Sequence, residues 1–206
     1  MKTSYTISFL TIFAIFSCNK SEINFGSNFI VDNRLNENEV FKKLNDSSEI
    51  ILRKRDSISS KRSTDIEFEI NINDTITNIS KLKARSAFIN TYTFGKEELK
   101  AEKSDTLAIE IDNFDGYSSE GIKILVYKDR FDVKYYMTSD IIAPINPIEL
   151  TKVNSSKLIL NKNNYKVNDS IYGYLEADLT YQNRFSLQQK IKAKGYFRTI
   201  IKENKY

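Results

Sequence analysis

Alternating apolar residues, turn residues at short intervals and the lack of a strand–helix–strand rhythm predict an all-β fold. The expected form is an antiparallel β-sandwich, or barrel-like domain, of about eight or nine strands behind an N-terminal helical segment. Forty per cent of the 206 residues are hydrophobic and 12% aromatic, enough to build a core.

The chain begins with a charged, apolar and small-residue sequence. Lys2 precedes an apolar stretch from Tyr5 to Phe16, and Ser17 stands before Cys18, the one cysteine. Those are the parts of a secretory signal. The stretch is about a dozen residues long, whereas crossing a bilayer takes roughly 20. An ordinary signal does not require a cysteine after the small residue. Ile15-Phe16-Ser17-Cys18, running into Asn19-Lys20, resembles the lipobox of bacterial lipoproteins of the Bacteroidota type. Phe16 departs from that pattern, because the position before Ser17 is usually small. The resemblance covers residues 1 to about 22 and implies that Cys18 is acylated and becomes the new N-terminus. It implies a protein of the cell envelope held in a membrane by its lipid, the outer membrane favoured, with its face left open.

Residues 1–17 therefore read as a signal peptide, and 18–35 as the acylated cysteine and a flexible tether rich in Asn and Ser. Residues 36–62 read as a helical and basic extension. Val40, Phe41, Leu44 and Ile51 recur at helical intervals, with Glu37 and Glu39 near the start and Arg53, Lys54 and Arg55 near the end. Asn45-Asp46-Ser47-Ser48 weakens the middle, so two short helices are an alternative. The basic stretch from Arg53 to Arg62 reads as a solvated helix end, since it has no interleaved aromatics for stacking on bases.

The β domain spans 63–203. Ile66, Phe68, Ile70 and Ile72 share one strand face before the Asn73-Asp74 turn. Lys83 to Phe94 is a long strand, and Leu107, Ile109 and Ile111 alternate in the next. Ile122 to Tyr127 and Phe131 to Thr138 flank Lys128-Asp129-Arg130 as a hairpin. Leu158 to Leu160 is short. Ile171, Gly173, Leu175, Ala177, Leu179 and Tyr181 share a face, as do Ile191, Ala193, Gly195, Phe197 and Ile201.

Composition removes most chemistries. Without histidine there is no His-based triad and no imidazole ligand. With Cys18 acylated there is no thiolate. The six glycines stand singly and form no phosphate loop. A net charge of +4 is too small and scattered for a nucleic-acid footprint. No catalytic residue, metal or cofactor is expected. The least favoured alternative is a carboxylate-dependent glycoside hydrolase using Glu67 and Glu69. Asp112-Asn113-Phe114-Asp115-Gly116 fails the alternating ligand spacing of a calcium loop and reads as a bend.

Two features point to surfaces. The chain has twelve tyrosines, and Tyr172 and Tyr174 lie opposite the apolar face of their strand. Exposed rings there would suit a carbohydrate-binding accessory of a glycan-uptake system. The second feature is a triplet of Asp, Ser or Thr, and an aliphatic residue at Asp56-Ser57-Ile58, Asp74-Thr75-Ile76, Asp105-Thr106-Leu107 and Asp169-Ser170-Ile171. It resembles the O-glycosylation motif of exported Bacteroidota proteins, which would make Ser57, Thr75, Thr106 and Ser170 acceptors. The same residues suit a turn before a strand. The leading expectation is a non-catalytic binding module whose partners are the membrane, through its anchor, and an envelope protein or a glycan.

Overall fold

The computed structural model describes residues 26–52, 57–73, 75–79, 82–94, 102–114, 117–139, 150–182 and 187–203. In chain order these form β1 (Ser27–Asn28), β2 (Ile30–Val31), a 3-10 turn (Leu35–Glu37), α1 (Glu39–Asp46), β3 (Ser48–Leu52) and β4 (Ser57–Lys61). Then come β5 (Glu67–Ile72), β6 (Thr75–Ile79), β7 (Lys83–Phe94), β8 (Glu102–Asp112) and β9 (Ser118–Tyr127). The last are β10 (Arg130–Ser139), β11 (Leu150–Leu160), β12 (Ser170–Gln182) and β13 (Gln188–Lys202). The protein is all-β.

One large sheet runs β1-β10-β9-β8-β7-β13-β12-β11-β2, with β5 and β6 branching from β13, and β3 and β4 pair separately. It is mixed and not closed into a barrel. Two pairings are parallel, β2 with β11 and β7 with β13. The remaining pairs are antiparallel, as expected. β13 holds the sheet together by dividing its length. Lys190 to Lys194 pair with β5, whereas Ile201 and Lys202 pair with β7. The change of partner passes Gly195, whose φ of 150° suits glycine and few other residues. A Cβ there would stand 2.7 Å from Ile66 Cα.

The sheet folds over on itself. Phe68 of β5 stacks on Tyr135 of β10 at 6.4 Å, and Tyr135 meets Tyr181 of β12 edge-on at 4.6 Å. Ile109, Ile111, Ile124, Ile171, Leu175, Leu179, Ile191, Phe197 and Ile201 complete this core. Burying such side chains is the main drive to fold, worth about 1.5–3 kcal/mol each.

Three expectations need correction. Residues 27–31 are not tether. Ser27 and Asn28 pair with β10, Ile30 and Val31 pair with β11, and Leu35 is buried. The expected helical extension over 36–62 shortens to α1, so Ile51 lies in β3 and Ser57–Lys61, read as part of a helix end, form β4. Asn38 Oδ1 caps the helix by accepting from Val40 N–H at 3.0 Å. Ser47 Oγ donates to Lys43 O at 3.2 Å where the helix ends, as expected of a weak Asn-Asp-Ser-Ser run. Finally, β8 begins at Glu102, so Asp105-Thr106 sits inside a strand rather than at a turn before one.

Candidate functional site

The turn from β8 into β9 is held by its own short polar side chains. Asp112 Oδ1 accepts from Phe114 N–H at 3.3 Å, and Asn113 Oδ1 accepts from Glu120 N–H at 3.0 Å. Asp112 is fully buried, and its Oδ2 accepts from Ser119 Oγ at 2.9 Å and Tyr136 OH at 2.5 Å. Tyr136 of β10 and Asp112 of β8 both stand opposite Gly121 of β9, so the phenol crosses the gap a side chain would fill. A Cβ on Gly121 would lie 2.1 Å from Ile111 O.

Burial first, then the hydrogen bond to Asp112, pushes the Tyr136 phenol well above its usual range. It therefore stays protonated and donates. The Asp112 carboxylate is engaged by Phe114 N–H, Ser119 Oγ and Tyr136 OH. On the other face of β10, Tyr135 OH donates to Glu120 Oε1. The Asp112 cluster ties the turn to β10.

What the lock presents is apolar. Phe114, Tyr117 and Met137 are 45%, 69% and 56% exposed. Met137 is paired with Glu120, and Ser118 with Ser139, so the three residues lie at the same end of β9 and β10. Exposed large apolar groups at one end of a sheet mark a candidate interaction surface. This loop end is the candidate site.

The acceptor hydroxyls expected from sequence are scattered. Cys18 lies outside the described residues. Ser57 opens β4, but its side chain lies outside the described residues. Thr75 is exposed and opens β6 after Asn73, which has a φ of 49°. Ser170 is exposed and opens β12, near the opposite end of the sheet. Asp169 before it serves the turn by accepting from Lys166 N–H at 2.8 Å and pairing with Lys162 at 2.8 Å. Thr106 is 0% exposed, and its Oγ has no hydrogen-bond partner. A glycan has no room there in the folded chain, so Thr106 is withdrawn as an acceptor.

The paired carboxylates belong to a charge ladder. On the outer face, Glu67 and Glu69 stand opposite Lys194 and Lys192, which in turn stand opposite Glu176 and Asp178. The described residues bring no second carboxylate toward Glu67 and Glu69 from across a cleft. The tyrosine face is covered in part. Phe41 of α1 meets Tyr172 at 5.0 Å and Tyr196 at 5.7 Å, both edge-on. Tyr174 leans on Tyr196 at 5.0 Å and donates to Glu176 at 3.0 Å. Arg198 fixes the far side, donating to Leu44 O at 3.2 Å and Arg62 O at 2.9 Å.

Sequence reasoning did not find the Asp112–Ser119–Tyr136 cluster, because its members come from different strands. Gly121 inside a strand was the available signal, since such a glycine marks a close approach. No known protein family, curated protein or solved structure matches the chain.

Proposed function

We propose that the protein is a lipid-anchored envelope lipoprotein acting as a non-catalytic binding module. Acylated Cys18 would hold it to the membrane, and the loop end of Phe114, Tyr117 and Met137 would meet its partner. One observation carries the anchor, namely the apolar run from Tyr5 to Phe16 closed by Ser17-Cys18. Each buried methylene of a lipid chain contributes about 0.8 kcal/mol, so two or more chains make a stable anchor. The exposed loop end supports the binding role, because Phe41 of α1 packs on Tyr172 and Tyr196 and the ladder residues are paired across strands.

The anchor is tested by expressing the full chain, with and without Cys18→Ser, in a bacterium fed an alkyne-bearing palmitate analogue. Wild type takes up the label and sediments with membranes; the variant loses the label. An unlabelled wild-type chain, or a variant that keeps its label, contradicts the reading. Thr75 and Ser170 are exposed and suit modification. Sugar mass on peptides containing them, with none on the Thr106 peptide, is the expected pattern for the native protein.

A further inference from the structure

The end of the sheet away from the Asp112 cluster contains a cavity of about 170 Å³. Ile89, Leu107 and Val126 occupy one row across β7, β8 and β9 and form its apolar floor. Lys128, from the bend between β9 and β10, joins Asn163, Asn164 and Tyr165 at the rim. The cavity is half open to solvent and of the size of a single ring.

The wall is built in advance. Tyr165 OH donates to Asn161 Oδ1 at 2.9 Å, and the same oxygen accepts from Tyr172 N–H at 2.9 Å. Lys162 sits over the Tyr165 ring at 5.3 Å and is tied to Asp169 at 2.8 Å. Asn168 N–H donates to Ile201 O at 2.8 Å, and Ile201 N–H to Asp169 O at 3.0 Å. The wall therefore adds little ordering cost when a ligand arrives. Binding pockets commonly combine an apolar interior with a few placed polar groups.

The rim chemistry names the ligand class. Among the described lining residues are one ammonium group and two amides, and no carboxylate. The Lys128 ammonium rests over the Tyr127 ring, 4.9 Å from its centre. From this geometry we propose that the cavity binds a small organic monoanion, an aromatic or short branched carboxylate, with its apolar body on the Ile89–Leu107–Val126 floor. The carboxylate faces Lys128 and the Asn163 and Asn164 amides. The proposal is independent of Cys18 and of the loop end.

The test uses the purified full chain, read by saturation-transfer NMR with benzoate, benzylamine and benzyl alcohol as probes. Benzoate gives a saturable signal, and benzylamine binds at least about tenfold more weakly. Lys128→Gln weakens benzoate about tenfold and leaves benzyl alcohol unchanged. Leu107→Phe fills the floor and abolishes binding of benzoate. Because that change touches the core, Asn164→Trp at the exposed rim is its partner, blocking benzoate with the thermal melt unchanged. The proposal is overturned if benzoate gives no saturable signal. Equal binding of benzylamine, or a benzoate signal that survives both blocking variants, overturns it as well.

Discussion

β12 and β13 carry two different surfaces on one side. Toward one end, Tyr172, Tyr196 and Arg198 lie under α1, whose Phe41 and Leu44 are buried against them. Toward the other, Lys190, Lys192 and Lys194 are exposed between acidic and polar neighbours on β5 and β12. The strands and their alternation are the same in both halves. Period two tells which residues face away from the core, but a distant segment decides whether water or a helix covers them. Aromatic residues on an outer face are the local sign that a cover exists.

The largest expected effect comes from removing that cover. Phe41→Ala deletes a buried ring that contacts Tyr172 and Tyr196, and should destabilise the fold by about 3–5 kcal/mol in denaturant melts. A loss below about 1 kcal/mol would mean that α1 is not a structural part of the sheet. Asn38→Ala removes the cap on Val40 and should take away about 1 kcal/mol, read in the same melts. Lys192→Ala on the ladder should change stability by no more than about 0.5 kcal/mol, because exposed pairs are screened and flexible.

Acid gives the smallest contrast. The hydrogen bond from Tyr174, then that from Lys194, hold Glu176 below its ordinary value of 4.5. Its stabilising contribution is complete above that ordinary value and is lost as pH falls through the depressed one. Glu176→Gln should flatten the stability profile slightly below pH 4.5 and leave it unchanged at neutral pH. A flattening near neutrality would contradict this assignment.

The same division explains what could be read in advance. The bounds of β7, Lys83–Phe94, the β9–β10 hairpin and the buried face of β12 were legible because local alternation and turn residues agree with tertiary burial. β1 and β2 were not, since two-residue strands exist only through pairing with β10 and β11. β11 was seen only at Leu158–Leu160. Its first residues, Leu150 to Lys157, are exposed or half-buried and give no apolar period. Of the candidate site, the end of β8 at Asp112 was legible. The reach of Tyr136 over Gly121 was not, because it depends on register between three strands. Thr106 shows the reverse error: its triplet reads as a strand-opening turn, yet β8 had already begun at Glu102.

The lipid anchor is the central claim, and the mass of the N-terminal peptide from the mature, membrane-extracted protein tests it most directly. The account predicts a peptide that begins at Cys18 and carries acyl chains. A peptide that retains residues 1–17, or one with an unmodified Cys18 thiol, would contradict it.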